Sequence, residues 1–127
     1  MPRVLLIDDD EIVRGTLSLT LRAGGYDCTT ASNTLAGVAL AEAGGFDIAL
    51  IDINMPGLDG FEAIKAIAHV KPTVAIVAMS GKPYEDGRDS ALLATSMGAH
   101  AFMLKPFRRE DLVAAVDAAV KANRKAR

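Results

Sequence analysis

The sequence predicts a three-layer α/β fold, a parallel sheet with helices on both faces, from three observations. Short apolar runs at 4–7, 26–31, 48–51, 74–79 and 101–104 alternate with Ala- and Leu-rich segments of helical spacing at 12–21, 35–43, 61–70, 91–97 and 112–120, which makes five βα units. Runs such as "VLLI", "IALI" and "VAIVAM" are apolar throughout, as strands buried on both sides must be. Gly24-Gly25, Gly44-Gly45 and Gly98 each follow a helical segment, where a left-handed residue closes a helix.

Taken in order, the first strand runs into "IDDDE", where Asp10 is placed to cap the first helix. The second strand carries Cys28, read as a small buried apolar residue. The third ends on Asp52, followed by a turn through Met55-Pro56-Gly57, and Asp59 is placed to cap a helix that Gly60 starts. The fourth ends in Met79-Ser80-Gly81 and the fifth in Leu104-Lys105-Pro106. His69 and His100 lie away from these strand ends and read as surface or loop histidines. The basic tail "KANRKAR" reads as the solvated end of the last helix.

At 127 residues, half of them apolar, the chain suits one domain with one core and no output domain after it. Its 14 basic and 16 acidic side chains leave a net charge of −2, too balanced to attract nucleic acid or a membrane surface directly. A single cysteine excludes an internal disulfide and a cysteine zinc site, and no apolar stretch approaches the roughly 20 residues of a membrane span. A soluble cytoplasmic protein is the expectation. "SGKPY" lacks the leading glycine and the Ser or Thr of a nucleotide-binding loop.

In an open parallel sheet, ligands bind beyond the carboxyl ends of the strands, so those ends carry the chemistry. Asp8, Asp9, Asp52, Ser80 and Lys105 fall on that one edge. A bare carboxylate at the end of a buried strand is costly unless it is paired or metal-bound. Two carboxylates about 4 Å apart repel by about 4 kcal/mol at an effective dielectric of about 20, so three stay ionised only around a cation. Oxygen ligands suit Mg²⁺, with Mn²⁺ an alternative. The set matches what phosphoryl transfer needs: Asp52 as nucleophile, Asp8 and Asp9 for the metal, Ser80 and Lys105 for the phosphoryl oxygens.

Four ordered segments, "VLLIDDDEIVR", "DIALIDINMPGLDGFE", "AIVAMSG" and "GAHAFMLKPF", resemble the acidic-pair, phosphoacceptor, hydroxyl and lysine segments of bacterial two-component response-regulator receiver domains, the CheY-like family. The resemblance spans the chain. It implies a flavodoxin-like (βα)5 fold with strand order 2-1-3-4-5, and Asp52 as a phosphoacceptor served by a histidine kinase or a histidine phosphotransfer protein. It further implies a metal site of Asp8, Asp9, Asp52 and the Asn54 carbonyl, a Ser80–Phe102 switch pair, Lys105 on the phosphoryl group and a cis Lys105-Pro106 bond. A signalling module of this kind acts on a downstream protein target, as a monomer or a weak phosphorylation-dependent dimer, and is no enzyme beyond promoting its own phosphotransfer and dephosphorylation. The alternative is a Mg²⁺-dependent phosphatase of the haloacid-dehalogenase type, although "DINMP" lacks the second acid that class places two residues after its nucleophile. A receiver that binds partners without phosphorylation is a third reading. The interval from Ser80 to Gly98, "SGKPYEDGRDSALLATSMG", is about three residues longer than the family pattern, and its loop before Ala91 is expected to be mobile.

Overall fold

Alternation of two along each strand sends successive side chains to opposite faces of a sheet, and helices must then cover both. A computed structural model of the chain, describing residues 1–55, 60–85 and 87–126, has this arrangement. Its elements are β1 (Arg3–Ile7), α1 (Glu11–Ala23), β2 (Asp27–Ala31), α2 (Thr34–Ala43), β3 (Ile48–Asp52), α3 (Gly60–Val70), β4 (Ala75–Ser80), α4 (Ser90–Met97), β5 (Ala101–Leu104) and α5 (Arg109–Ala126). The sheet is parallel, in the order β2-β1-β3-β4-β5 that the resemblance implies.

Two apolar clusters sandwich it. Leu5, Ile7, Ala49, Ile51, Ile76 and Ala78 pack against Phe61, Ile64 and Ile67 of α3, while Val4, Leu6, Ile48, Leu50, Val77 and Met79 pack against Leu17 and Leu21 of α1 and Leu112 and Val116 of α5. β3 and β4 are buried throughout and β1 after Arg3, while the edge strands β2 and β5 are the more exposed. That burial leaves little freedom of register, since a slip of one residue would exchange the two apolar faces.

Caps fix the helix starts. Asp10 Oδ1 accepts from the Ile12 and Val13 amides at 2.9 and 3.1 Å, Asn33 from Ala36 at 2.8 Å and Asp89 from Leu92 at 3.0 Å. Asp59, and the turn expected through Pro56-Gly57, lie outside the described residues. After α1 the left-handed position falls to Gly25 (φ 93°), Gly24 being right-handed (φ −81°). At Gly60 the reason for glycine is contact, because a Cβ there would collide with the backbone of Asp52 and Ile53.

Between Ser80 and α4 the chain makes a short antiparallel pairing. Tyr84–Glu85 pairs antiparallel with Arg88–Asp89 in a short ribbon, and the Ser90 amide donates to the Pro83 carbonyl at 2.9 Å. His100, read as a plain loop residue, supplies an acceptor: its Nδ1 takes the Ile76 amide at 2.9 Å. Among the described residues no helix is long and apolar enough to cross a membrane.

Candidate functional site

The parallel strands deliver Asp8, Asp52, Ser80 and Lys105 to one end of the sheet, because β1, β3, β4 and β5 finish in adjacent register. Asp52 stands opposite Met79, the Ile53 amide donates to the Met79 carbonyl at 2.9 Å, and the Lys105 amide donates to the Ser80 carbonyl at 2.7 Å. The Lys105-Pro106 bond is cis, as the resemblance implies.

Asp8 is fully buried, Asp52 is 6% exposed and Asp9 faces solvent. Backbone amides anchor the two buried carboxylates. The Asp10 amide donates to Asp8 Oδ1 at 3.0 Å and the Asn54 amide to Asp52 Oδ1 at 2.9 Å. Each anchored carboxylate turns its other oxygen to the Lys105 ammonium, at 3.3 Å for Asp8 Oδ2 and 3.7 Å for Asp52 Oδ2. Lys105 therefore bridges the two acids, nearer to Asp8, and is not dedicated to Asp52.

Burial raises the Asp52 carboxyl above its ordinary range, with the charges of Asp8 and Asp9 pushing the same way against the Asn54 amide and Lys105. Oxygens from Asp8, Asp9 and Asp52 lie within 4.8 Å of one another; the Lys105 ammonium bridges the two buried acids and the Arg14 guanidinium donates to the Asp8 main-chain carbonyl at 2.9 Å. An all-oxygen donor set with surplus negative charge fits a hard divalent cation such as Mg²⁺.

Ser80 is fully buried, and its hydroxyl lies 2.6 Å from Asn54 Oδ1 and 2.9 Å from the Lys82 carbonyl, while the Lys82 amide donates to it at 2.9 Å. Asn54 Oδ1 also accepts from the Gly81 amide at 3.0 Å. The sequence pointed to the Asn54 carbonyl alone, and the work of its carboxamide had no signal there. Phe102 is half-buried, packed on the same cluster as Leu93 and Met97 of α4.

A flavodoxin-like sheet with an acidic pair, a strand-end aspartate, a hydroxyl and a lysine at its carboxyl edge defines the receiver class. The response regulator receiver domain profile matches residues 4–117, and the chain belongs to that family. The cell cycle response regulator CtrA of Brucella ovis is 29% identical over 122 residues, which are 96% of this chain and 51% of that protein, so the chain spans about half the length of such relatives. Among solved structures, the CheY-like receiver domain protein of Methanospirillum hungatei JF-1 superposes with a TM-score of 0.92 at 24% identity, covering 100% of this chain and 99% of that one. The receiver domain of the sensor histidine kinase PA1611 of Pseudomonas aeruginosa PAO1, with a magnesium ion in its active-site cleft, has a TM-score of 0.85 at 24% identity, covering 94% and 98%. The chain is a receiver domain of the two-component type, a signalling module and not a classical enzyme. The haloacid-dehalogenase alternative finds no support in the family match or the fold neighbours.

Proposed function

We propose that Asp52 accepts a phosphoryl group from a histidine kinase or a histidine phosphotransfer protein and passes the change to a downstream protein target. An oxygen of the Asp52 carboxylate attacks phosphorus in line, the bond from phosphorus to the donor's histidine nitrogen breaks, and that nitrogen keeps the electron pair and takes a proton. The product is an acyl phosphate on Asp52. The observation that carries this reading is the buried Asp52 carboxylate, gathered with Asp8 and Asp9 at one strand edge and bridged to Asp8 by Lys105.

The Asn54 amide holds Asp52 Oδ1 and leaves Oδ2, on the Lys105 side, as the attacking oxygen. Lys105 moves its attraction from the carboxylates to the phosphoryl oxygens, and the Ser80 hydroxyl donates to another of them. Asp8 and Asp9, with Asp52 and the Asn54 carbonyl, would hold Mg²⁺ or in its place Mn²⁺, which when bound neutralises charge on the transferring group. The PA1611 receiver, with magnesium in its cleft, supports that choice. The same groups make the chain promote its own phosphotransfer and dephosphorylation. Ser80 and Phe102 form the switch through which the surface of α4, β5 and α5 changes. The domain acts in the cytoplasm, as a monomer or a weak phosphorylation-dependent dimer, without touching nucleic acid or membrane itself.

Incubation with acetyl phosphate and Mg²⁺ should yield an alkali-labile phosphate that is absent in Asp52→Ala. A wild-type chain that stays unmodified, or an Asp52→Ala chain modified equally well, would refute the assignment.

A further inference from the structure

The two donors nearest the Asp52 strand end on the neighbouring strand, the Ser80 hydroxyl and the Gly81 amide, do not point at open solvent. Both converge on one atom, Asn54 Oδ1, at 2.6 and 3.0 Å. The Gly81 amide can only donate, so the atom it faces must be the carboxamide oxygen and not its nitrogen. The same residue touches the acceptor through its main chain, its amide donating to Asp52 Oδ1 at 2.9 Å.

We infer that the Asn54 side chain is a positioning residue, a resting-state latch whose oxygen occupies the two donors that a phosphoryl oxygen on Asp52 would take. This rests on the reading of Asp52 as phosphoacceptor. An oxygen gripped by one hydroxyl and one backbone amide is in the situation that an equatorial phosphoryl oxygen would meet. The amide oxygen is neutral, whereas the phosphoryl oxygens are anionic, and charge-assisted hydrogen bonds are roughly twice as strong as neutral ones. Modification of Asp52 therefore transfers both donors from Asn54 to the phosphoryl group, and β4 gives up its tie to the residue two positions after the acceptor. The Ser80 hydroxyl proton, which in the resting chain has Asn54 Oδ1 and the Lys82 carbonyl as alternative acceptors, is then committed to the phosphoryl group. Because a ligand shifts an equilibrium only by its differential interaction with the two states, the latch sets how much of the phosphoryl group's binding is spent on release.

The test uses the whole chain as wild type, Asn54→Ala and Asn54→Asp, with Mg²⁺ and beryllofluoride as the phosphoryl mimic, read by amide NMR. Asn54→Ala keeps the main-chain groups and deletes the latch, so it should bind beryllofluoride roughly 3- to 10-fold more tightly, the equivalent of about one net hydrogen bond. In the unmodified, metal-free protein its Gly81 amide should exchange with solvent several-fold faster than in wild type. Asn54→Asp retains an acceptor at the same place and should restore wild-type exchange at Gly81. An Asn54→Ala affinity no tighter than wild type, or an unchanged Gly81 exchange rate, overturns the latch while leaving the phosphoacceptor reading intact. Wild-type protein that binds no beryllofluoride would overturn that reading and the latch with it.

Discussion

The two ends of the sheet treat charge in opposite ways. At the amino end of the strands the charges around Arg3 are each held by a separate partner. The Arg3 amide donates to Asp47 Oδ2 at 2.8 Å, its guanidinium donates to the Gly45 carbonyl at 3.2 Å, approaches Asp27 at 3.5 Å and lies 4.6 Å over the Phe46 ring. His100 and Asn123 complete that end by satisfying the Ile76 amide and the Thr73 carbonyl. At the carboxyl end Asp8 and Asp52 are buried beside Asp9, with Lys105 bridging the buried pair. One end spreads its charges over separate partners, and the other gathers three carboxylates whose oxygens lie within 4.8 Å of one another, a concentration that a hard cation would relieve. The difference separates structural from functional polar groups without reference to any relative.

The comparison can be broken at either end. The largest effect should come from Gly60→Ala, whose methyl group has no room against the Asp52 and Ile53 backbone. A loss of about 3 kcal/mol in urea unfolding is expected, together with displaced Asp52 resonances; a neutral substitution would show that α3 yields easily. At the opposite end, His100→Ala leaves the Ile76 amide without its acceptor and should cost about 2 kcal/mol with Mg²⁺ affinity unchanged. A loss of metal binding in that variant would contradict the independence of the two ends.

Asp9→Ala should weaken Mg²⁺ binding about tenfold, or about 1.4 kcal/mol, with little change in thermal stability, since Asp9 is solvent-exposed. Calorimetric titration checks it, and undiminished binding would remove Asp9 from the site. The smallest effect is a gain. Burial holds the Asp52 carboxyl above its ordinary range, so its ionised form is dearer in the folded chain than in the unfolded one. The stability it contributes is complete below the unfolded value of about 3.9 and is lost as pH rises through the higher folded value. Asp52→Asn, uncharged throughout, should therefore melt about 4 °C above metal-free wild type at neutral pH, with the gap closing toward acid. A variant that melts lower at neutral pH would mean that Lys105 and the Asn54 amide outweigh burial.

Most of the site was legible in the sequence because parallel strands buried on both faces announce themselves as apolar runs, and their carboxyl ends are the place to look. Asp8, Asp9, Asp52, Ser80 and Lys105 were found on that ground and the structure brings them to the same edge. What escaped was held by other forces. Apolar periodicity detects the buried face of a helix, so the start of α5 was read at Leu112, whereas it begins at Arg109 with a polar first turn; its far end was legible, the basic tail having been read as the end of that helix. The two-residue ladder of Tyr84–Glu85 with Arg88–Asp89 is too short to alternate. His100 and the Asn54 carboxamide act through the direction of a single atom, which no spacing encodes.

The close seating of Gly60 on the Asp52 backbone gives the site an uneven stiffness. On that side the acceptor's main chain rests against α3 with no side chain between to deform, and its flanks are tied into the strand ladders. Load applied at Asp52 meets a bearing there. Compliance lies on the other side, in the segment after Ser80, which is fastened by side-chain hydrogen bonds and a two-residue ribbon. Under the proposed phosphorylation, displacement started by a charge on Asp52 would be rectified: it would leave through β4 and α4, with α3 as the fixed support.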